Sequence, residues 1–287
     1  MTQYTKLEFI DEPVYYHGFP WREISYDDIT KDFVKLQNKL NNSAITVPLK
    51  SSYIGYNCTD KFFQYERLNT CSNTNMSCVE YWFKRKAKIL QYWNKRNKND
   101  DLFGTIVFLK RAPSHFSPHV AGMVYKYFKA KCVYDPYAGW GDRCLAAMAL
   151  GIKYIGVDSN PNLENCYNNL INFFNIPNIK FISGKSENVL LNCNPDLIFS
   201  SPPFWTENQK ILELYNNCEQ NIDTFINKSI KVLFNRYLNK IPIALYINKY
   251  MYKKIKILAG KAKHKIDFSS GCSRKNNNPT PKTIYIW

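Results

Sequence analysis

The chain has 287 residues, is 45% hydrophobic and carries a formal net charge of +16, with a pI near 9.3. That length accommodates one large α/β domain with an extension, and the apolar fraction is enough for a sizeable core. No stretch approaches the ~20 apolar residues of a membrane span, and nine cysteines without a CxxC pair argue against zinc knuckles and disulfide frameworks.

The cysteines therefore read as reduced thiols in an intracellular protein. The opening MTQYTKLEFIDEP holds acids and no apolar run, so it does not read as a signal peptide. Four histidines and no acidic cluster argue against a metal site. The basic balance suits a polyanionic partner, because Lys and Arg neutralise phosphates and release counterions. A chain rich in Lys, Asn, Ile and Tyr would be basic for compositional reasons alone.

In chain order, the first hundred residues are aromatic and polar, without clear βα alternation. The spacing of Phe33, Leu36 and Leu40 predicts a helix over Ile29–Leu40. A second helix is expected from Ser77 to Trp93, opened by a capping box of Ser77 and Glu80. It carries Lys84, Arg85, Lys86 and Lys88, and the charged stretch Asn94–Asp101 behind it reads as a loop.

From about residue 103 strands and helices alternate. Strands are expected at Lys131–Tyr134, Tyr154–Val157, Ile179–Ile182, Leu197–Ser200 and Ile243–Ile247. Helices are expected at Asp142–Leu150, Leu163–Phe174 and Ile222–Tyr237. This alternation implies right-handed βαβ units and a mostly parallel sheet. Lys265–Phe268 and Thr283–Ile286, joined by a polar loop with Gly271, Pro279 and Pro281, read as an antiparallel pair at the sheet edge. The reading is an α/β fold with a mainly helical N-terminal extension (1–102, a candidate for substrate recognition) followed by a main domain (103–287). The basic run Lys249–Lys265, with Lys253, Lys254, Lys256, Lys261, Lys263 and Lys265, is either a solvated helix face or a phosphate-contacting surface.

The segment Val133-Tyr134-Asp135-Pro136-Tyr137-Ala138-Gly139-Trp140-Gly141-Asp142-Arg143 is a strand running into a glycine turn that opens a helix. Ligands of doubly wound sheets sit at such turns, and Gly139 and Gly141 let the backbone approach a ligand closely. Asp158 ends the next strand, where a carboxylate can accept both hydroxyls of an adenosine ribose. A dinucleotide fingerprint would need a third glycine, but Cys144 stands there. Asp142 at the helix start repels a pyrophosphate and suits a cofactor that carries a cation.

These residues resemble motif I of the S-adenosylmethionine-dependent DNA amino-methyltransferases, written Asp-Pro-Phe/Tyr-x-Gly-x-Gly. Asp135, Pro136, Tyr137, Gly139 and Gly141 stand at the matching positions, and Asp158, Ser159 and Asn160 look like motif II. Ser201-Pro202-Pro203-Phe204 matches the catalytic Asp/Asn/Ser-Pro-Pro-Tyr/Phe. Phe116-Ser117-Pro118 is similar to motif X, and Gly184-Lys185-Ser186-Glu187 stands where motif III would be. The resemblance covers roughly residues 103–250. It implies a Rossmann-like class I methyltransferase sheet, S-adenosylmethionine as cofactor, and nucleic acid, DNA in the first instance, as partner. It also implies cofactor-binding roles for Phe116, Ser117, Asp135, Tyr137, Gly139, Trp140, Gly141, Asp142, Asp158, Ser159, Asn160 and Ser186. Trp140 between the glycines and Asp142-Arg143 after them depart from the pattern and point to an atypical, viral- or phage-like branch.

The implied reaction is methylation of an exocyclic amine, cytosine N4 or adenine N6. Such an amine is a poor nucleophile, and acceptors at Ser201 and the Pro202 carbonyl can hold its N–H bonds while Phe204 stacks the base. RNA adenine-N6 methylation would use the same motif. Protein glutamine methylation would start it with Asn and would not need the charge. A degenerate nucleic-acid-binding subunit is the non-enzymatic alternative, for which Trp140 speaks.

Overall fold

The computed structural model describes residues 18–71, 76–95, 101–110, 112–205, 207, 221–269 and 282–287. The opening segment, most of the loop expected at Asn94–Asp101, and the polar loop with Gly271, Pro279 and Pro281 lie outside the described residues. The helices are α1 (Tyr26–Asn42), α2 (Tyr56–Asn69), α3 (Cys78–Lys95), α4 (Leu102–Lys110), α5 (Pro118–Phe128), α6 (Asp142–Leu150), α7 (Leu163–Phe174), α8 (Ile222–Phe225), α9 (Lys231–Tyr237) and α10 (Lys249–Ala259). The strands are β1 (Leu49–Lys50), β2 (Cys132–Asp135), β3 (Lys153–Asp158), β4 (Ile179–Ser183), β5 (Leu197–Ser200), β6 (Ile243–Tyr246), β7 (His264–Ser269) and β8 (Lys282–Ile286). No helix among the described residues is long and apolar enough to cross a membrane.

Among the described residues the eight strands form one sheet in the order β1-β7-β8-β6-β5-β2-β3-β4. The pairings are parallel except those of β8, which runs antiparallel to both β6 and β7. The expected C-terminal antiparallel pair therefore forms at this edge region of the sheet. β8 is inserted between β6 and β7, and the short β1 closes the sheet beyond β7. The reason lies in β8 itself. Ile284, Tyr285 and Ile286 are all buried, and a strand apolar on both faces belongs inside a sheet.

Strand alternation divides the core between the two faces of the sheet. Val133, Tyr154, Leu197, Phe199, Ala244 and Ile284 face one cluster, and Tyr134, Ile155, Ile198, Ile243, Leu245 and Tyr285 face the other. The second face is covered by α8, α9 and α10 through residues such as Phe225, Leu233 and Ile255. The first is covered by α5, α6 and α7, and by α1 with α2. Ile29, Phe33, Leu36, Leu40, Cys58 and Phe63 share a cluster with Val124, Leu145, Leu170 and Phe174. Much of the N-terminal segment is thus built into the main core.

Only α3 and α4 stand on a small cluster of their own, with Phe19, Leu68, Val79, Trp82, Ile89 and Ile106. The capping box expected for α3 is present: Ser77 N–H donates to Glu80 Oε2 (2.8 Å) and Glu80 N–H to Ser77 Oγ (3.1 Å). α1 has a box of the same kind, made by Ser25 and Asp28, that the sequence reading did not single out. The helix expected over Ile222–Tyr237 follows that path, but Ile226–Ile230 winds as a π turn between α8 and α9.

Candidate active site

An open cleft enclosing ≈ 1150 Å³, its mouth included, lies across the carboxyl ends of β2 to β6. Its walls come from the segments that directly follow these strands, 136–143, 158–159, 184–187 and 201–204, and from Tyr246 at the end of β6. Between β2 and β5 the strand order reverses. The diverging loops there leave the crevice in which open α/β sheets place ligands.

At one end Asp158 faces the cleft. Its Oδ2 accepts the Gly139 N–H (2.9 Å) and its Oδ1 the Asn160 N–H (3.0 Å). Burial pushes its pKa above the ordinary value, against those two hydrogen bonds. The carboxylate is held by backbone alone, with no cation paired to it among the described residues, and its remaining lone pairs suit a ligand's hydroxyls. Tyr137, Gly139, Trp140, Ser159 and Ser186 also line this end. Trp140 is only 6% exposed and forms part of the wall without closing the cleft.

Other residues singled out by the sequence stand behind the wall. Gly141 has φ +79°, and a Cβ there would come within 2.7 Å of the Phe63 ring. Its freedom is thus used for packing against α2. Asn160 is buried and shapes its turn by accepting the Asn162 N–H. Ser117 caps α5 and exchanges hydrogen bonds with the backbone of Ser52, away from the cleft.

Asp135 is fully buried and does not reach the cleft. Arg143 donates to it twice (Nε–Oδ2 2.7 Å, Nη2–Oδ1 3.3 Å), Tyr154 Oη donates to Oδ2 (2.7 Å), and Ser200 Oγ donates to Oδ1 (2.5 Å). Ser200 Oγ accepts the Tyr137 N–H in turn (3.0 Å), and Arg143 also donates to the Tyr137 carbonyl. This network ties the glycine turn after β2 to the end of β5. Arg143, Tyr154 and Ser200 were not legible as its members, because a salt-bridged pair eight residues apart looks like any two charges in a sequence.

Asp142 sits at the start of α6 and lines the cleft, but its charge is answered. Thr59 Oγ1 (2.9 Å), the Phe116 N–H (3.0 Å) and His115 Nδ1 (3.0 Å) all reach it. His115 Nε2 meets Asp60 Oδ1 at 2.9 Å, Arg67 pairs with the same oxygen at 2.6 Å, and Arg22 reaches the other at 3.4 Å. Tyr56 stacks on the imidazole at 4.5 Å. Burial alone would lower the pKa of His115. Asp142 and Asp60 outweigh burial and the opposing Arg67, and push it up to about 9.

The raised value has a consequence for stability. An unfolded imidazole titrates near 6.5, so the folded state holds the extra proton between that value and about 9. The stabilisation is complete below pH ~6.5 and is lost as pH rises through the folded value. In denaturation at a series of pH values, wild type should lose stability across this window and His115→Gln should not. An equal slope in both proteins would reject the bridged, protonated imidazole.

At the other end Ser201, Pro203 and Phe204 line the cleft and Pro202 lies buried behind them. Phe204 meets Tyr246 edge to face at 5.1 Å, forming an aromatic corner. Trp205 is completely buried beneath, and its carbonyl accepts from Asn248 Nδ2 (2.8 Å). The side wall carries Lys185 and Glu187 and, beside them, Phe225, Lys228 and Ser229 of the α8–π segment, with Ser229 Oγ donating to Glu187 Oε2. Tyr246, Phe225, Lys228 and Ser229 escaped the sequence reading, and His115 has no role in it beyond flanking Phe116-Ser117-Pro118. Sequence shows no mark of a π turn, although such turns often occur at functional sites.

No protein-family model matches the sequence, and no curated protein matches it. Among solved structures, TrmN from Thermus thermophilus is similar at 13% identity over 60% of this chain and 48% of its own, with a TM-score of 0.41. A tRNA (uracil-54, C5)-methyltransferase from Pyrococcus abyssi in complex with S-adenosyl-L-homocysteine matches at 14% identity, over 60% of this chain and 40% of its own, with a TM-score of 0.39. A predicted N6-adenine-specific DNA methylase from Listeria monocytogenes matches at 11% identity, over 60% and 51%, with a TM-score of 0.40. Each match spans about half or less of the other protein's length.

Proposed function

We propose that this chain is an S-adenosylmethionine-dependent methyltransferase acting on the exocyclic amino group of a base in DNA, cytosine N4 or adenine N6. The observation that carries the reading is a cleft with the Asp158 carboxylate at one end and the Ser201–Phe204 segment at the other. The motif resemblance and the +16 charge support it.

The donor set fits the cofactor. Asp158 would accept from the ribose hydroxyls, and the wall formed by His115, Phe116 and Tyr137–Trp140 would hold the amino-acid end. Asp142 puts a carboxylate in the first turn of α6, where it disfavours a pyrophosphate. When bound, S-adenosylmethionine supplies an electrophilic methyl group. The chain's own part is to position the amine. Ser201 Oγ and the Pro202 carbonyl would accept its two N–H bonds. Pro203 has no N–H to compete for that carbonyl. Phe204, braced by Tyr246, offers a face to the base. A base stacked in a duplex cannot reach this corner and would have to flip out.

The test is nucleoside mass spectrometry after incubation with methyl-labelled cofactor and mixed DNA and RNA. Label is expected in N4-methylcytosine or N6-methyladenine of DNA. Ser201→Ala and Phe204→Ala should each lower transfer far more than cofactor affinity, since both lie at the far end of the cleft from Asp158. Label confined to RNA would reject DNA as substrate, and label only in protein would reject the nucleic-acid reading altogether.

A further inference from the structure

One segment of α3 has no buried face. Residues Phe83, Lys84, Arg85, Lys86, Ala87 and Lys88 are consecutive and all exposed, which is more than a full turn at ~3.6 residues per turn. The helix is pinned only before and after it, by Trp82 and Ile89. Lys84 and Lys88 are four apart, and Arg85 and Lys88 three apart, spacings at which like charges destabilise a helix. Arg85 itself leaves helical geometry (φ −132°, ψ 18°). The helix's one acid in this half, Glu80, is consumed by the cap. Among the described residues no carboxylate pairs with Lys84, Arg85, Lys86 or Lys88, and only Lys86 has another contact, over the Trp82 ring at 5.3 Å.

The other basic stretch is compensated in part. On α10, Lys254 pairs with Asp223 at 2.9 Å and Lys253 lies 3.9 Å from Glu207, while Lys265 beyond it sits over the Tyr252 and Tyr285 rings. α3 thus holds a set of uncompensated cations on a helix that gains no packing from the turn that bears them. Such a helix makes physical sense when its partner is a polyanion. α4 continues from it, and residues 112–117 then lead into the cleft wall at His115 and Phe116. The Pro113 carbonyl on that path is anchored by Arg67 (3.1 Å).

We propose that the exposed turn of α3 is a docking surface for the phosphate backbone of duplex DNA, an inference that rests on the nucleic-acid substrate proposed above. Duplex DNA is favoured because the segment 83–88, exposed all round on a helix about 10–12 Å across with its side chains, can approach a major groove ≈ 12 Å wide. The major groove of A-form RNA is too narrow and deep to admit it.

The test measures the affinity of the full chain for a short DNA duplex and for a single-stranded RNA across a salt series. Calorimetry of cofactor binding runs in parallel. Replacing Lys84, Arg85, Lys86 and Lys88 together by Gln should weaken duplex binding and flatten the slope of log affinity against log salt by about 3 to 4, at ~0.9 per phosphate contact. Cofactor affinity should stay at the wild-type value. The double variant Lys84→Gln/Lys88→Gln should flatten the slope by about half as much and melt no lower than wild type, since it relieves a like-charge pair. A folded variant that keeps the wild-type duplex slope overturns the proposal, and so does a slope change confined to the RNA. If duplex binding depends on α3 but no base is methylated, the docking surface stands and the proposed activity falls.

Discussion

Arg143→Met is expected to destabilise the protein by about 3–5 kcal/mol, the range for breaking a buried ion pair from one side. Arg143 is 5% exposed and Asp135 fully buried, and the guanidinium grips both carboxylate oxygens. Its Cζ also lies 5.6 Å over the Phe116 ring. Without it, Asp135 would keep only the Tyr154 and Ser200 hydroxyls as donors, and a carboxylate so buried is costly to hold ionised. Lysine cannot restore the two-pronged grip, so Arg143→Lys should recover only part of the loss. The double variant Asp135→Asn/Arg143→Met should be more stable than Arg143→Met alone, because it removes the stranded charge. Denaturant midpoints of the four proteins decide the matter. An Arg143→Met protein within about 1 kcal/mol of wild type would mean that the pair contributes less than its burial implies.

The second large effect is expected at Asp158. Asp158→Ala should weaken binding of the proposed adenosine cofactor about 10- to 150-fold for each charged hydrogen bond lost, at ~1.5–3 kcal/mol per bond. Asp158 also fixes the Gly139 and Asn160 backbones, so part of any loss would come from a loosened turn. A cofactor analogue lacking the ribose hydroxyls separates the two contributions. Wild type should discriminate strongly against it in calorimetry, and Asp158→Ala should bind both forms with nearly equal weakness. Undiminished cofactor affinity in the folded mutant would remove Asp158 from the site and take the adenosine-cofactor reading with it.

Much of the architecture was open to inspection because it is encoded locally. The helix Asp142–Leu150, the helix Leu163–Phe174 and the strand Leu197–Ser200 appear with the expected bounds, since periodicity, glycine turns and caps act over a few residues. The same locality put Gly139, Trp140, Asp158, Ser201 and Phe204 on one cleft. Strand ends in a parallel sheet share one edge, so segments that follow different strands converge there.

What the sequence by itself determined is the alternation of elements, the character of the sheet and the loops that meet at its carboxyl edge. Tertiary structure alone decided which side chains of those loops face the cleft and which hold it in place. Ser200 and Ser201 are chain neighbours, yet one is sealed against Asp135 and the other lines the cleft, because successive residues leaving a strand point to opposite sides. Asp60 and His115 meet across 55 residues, and Phe63 reaches Gly141 across the interface of α2 with α6. β8 enters between β6 and β7 because its burial on both faces demands an interior place. Each of these contacts joins residues whose separation along the chain carries no pattern. Only packing the helices and sheet around one core brings them together.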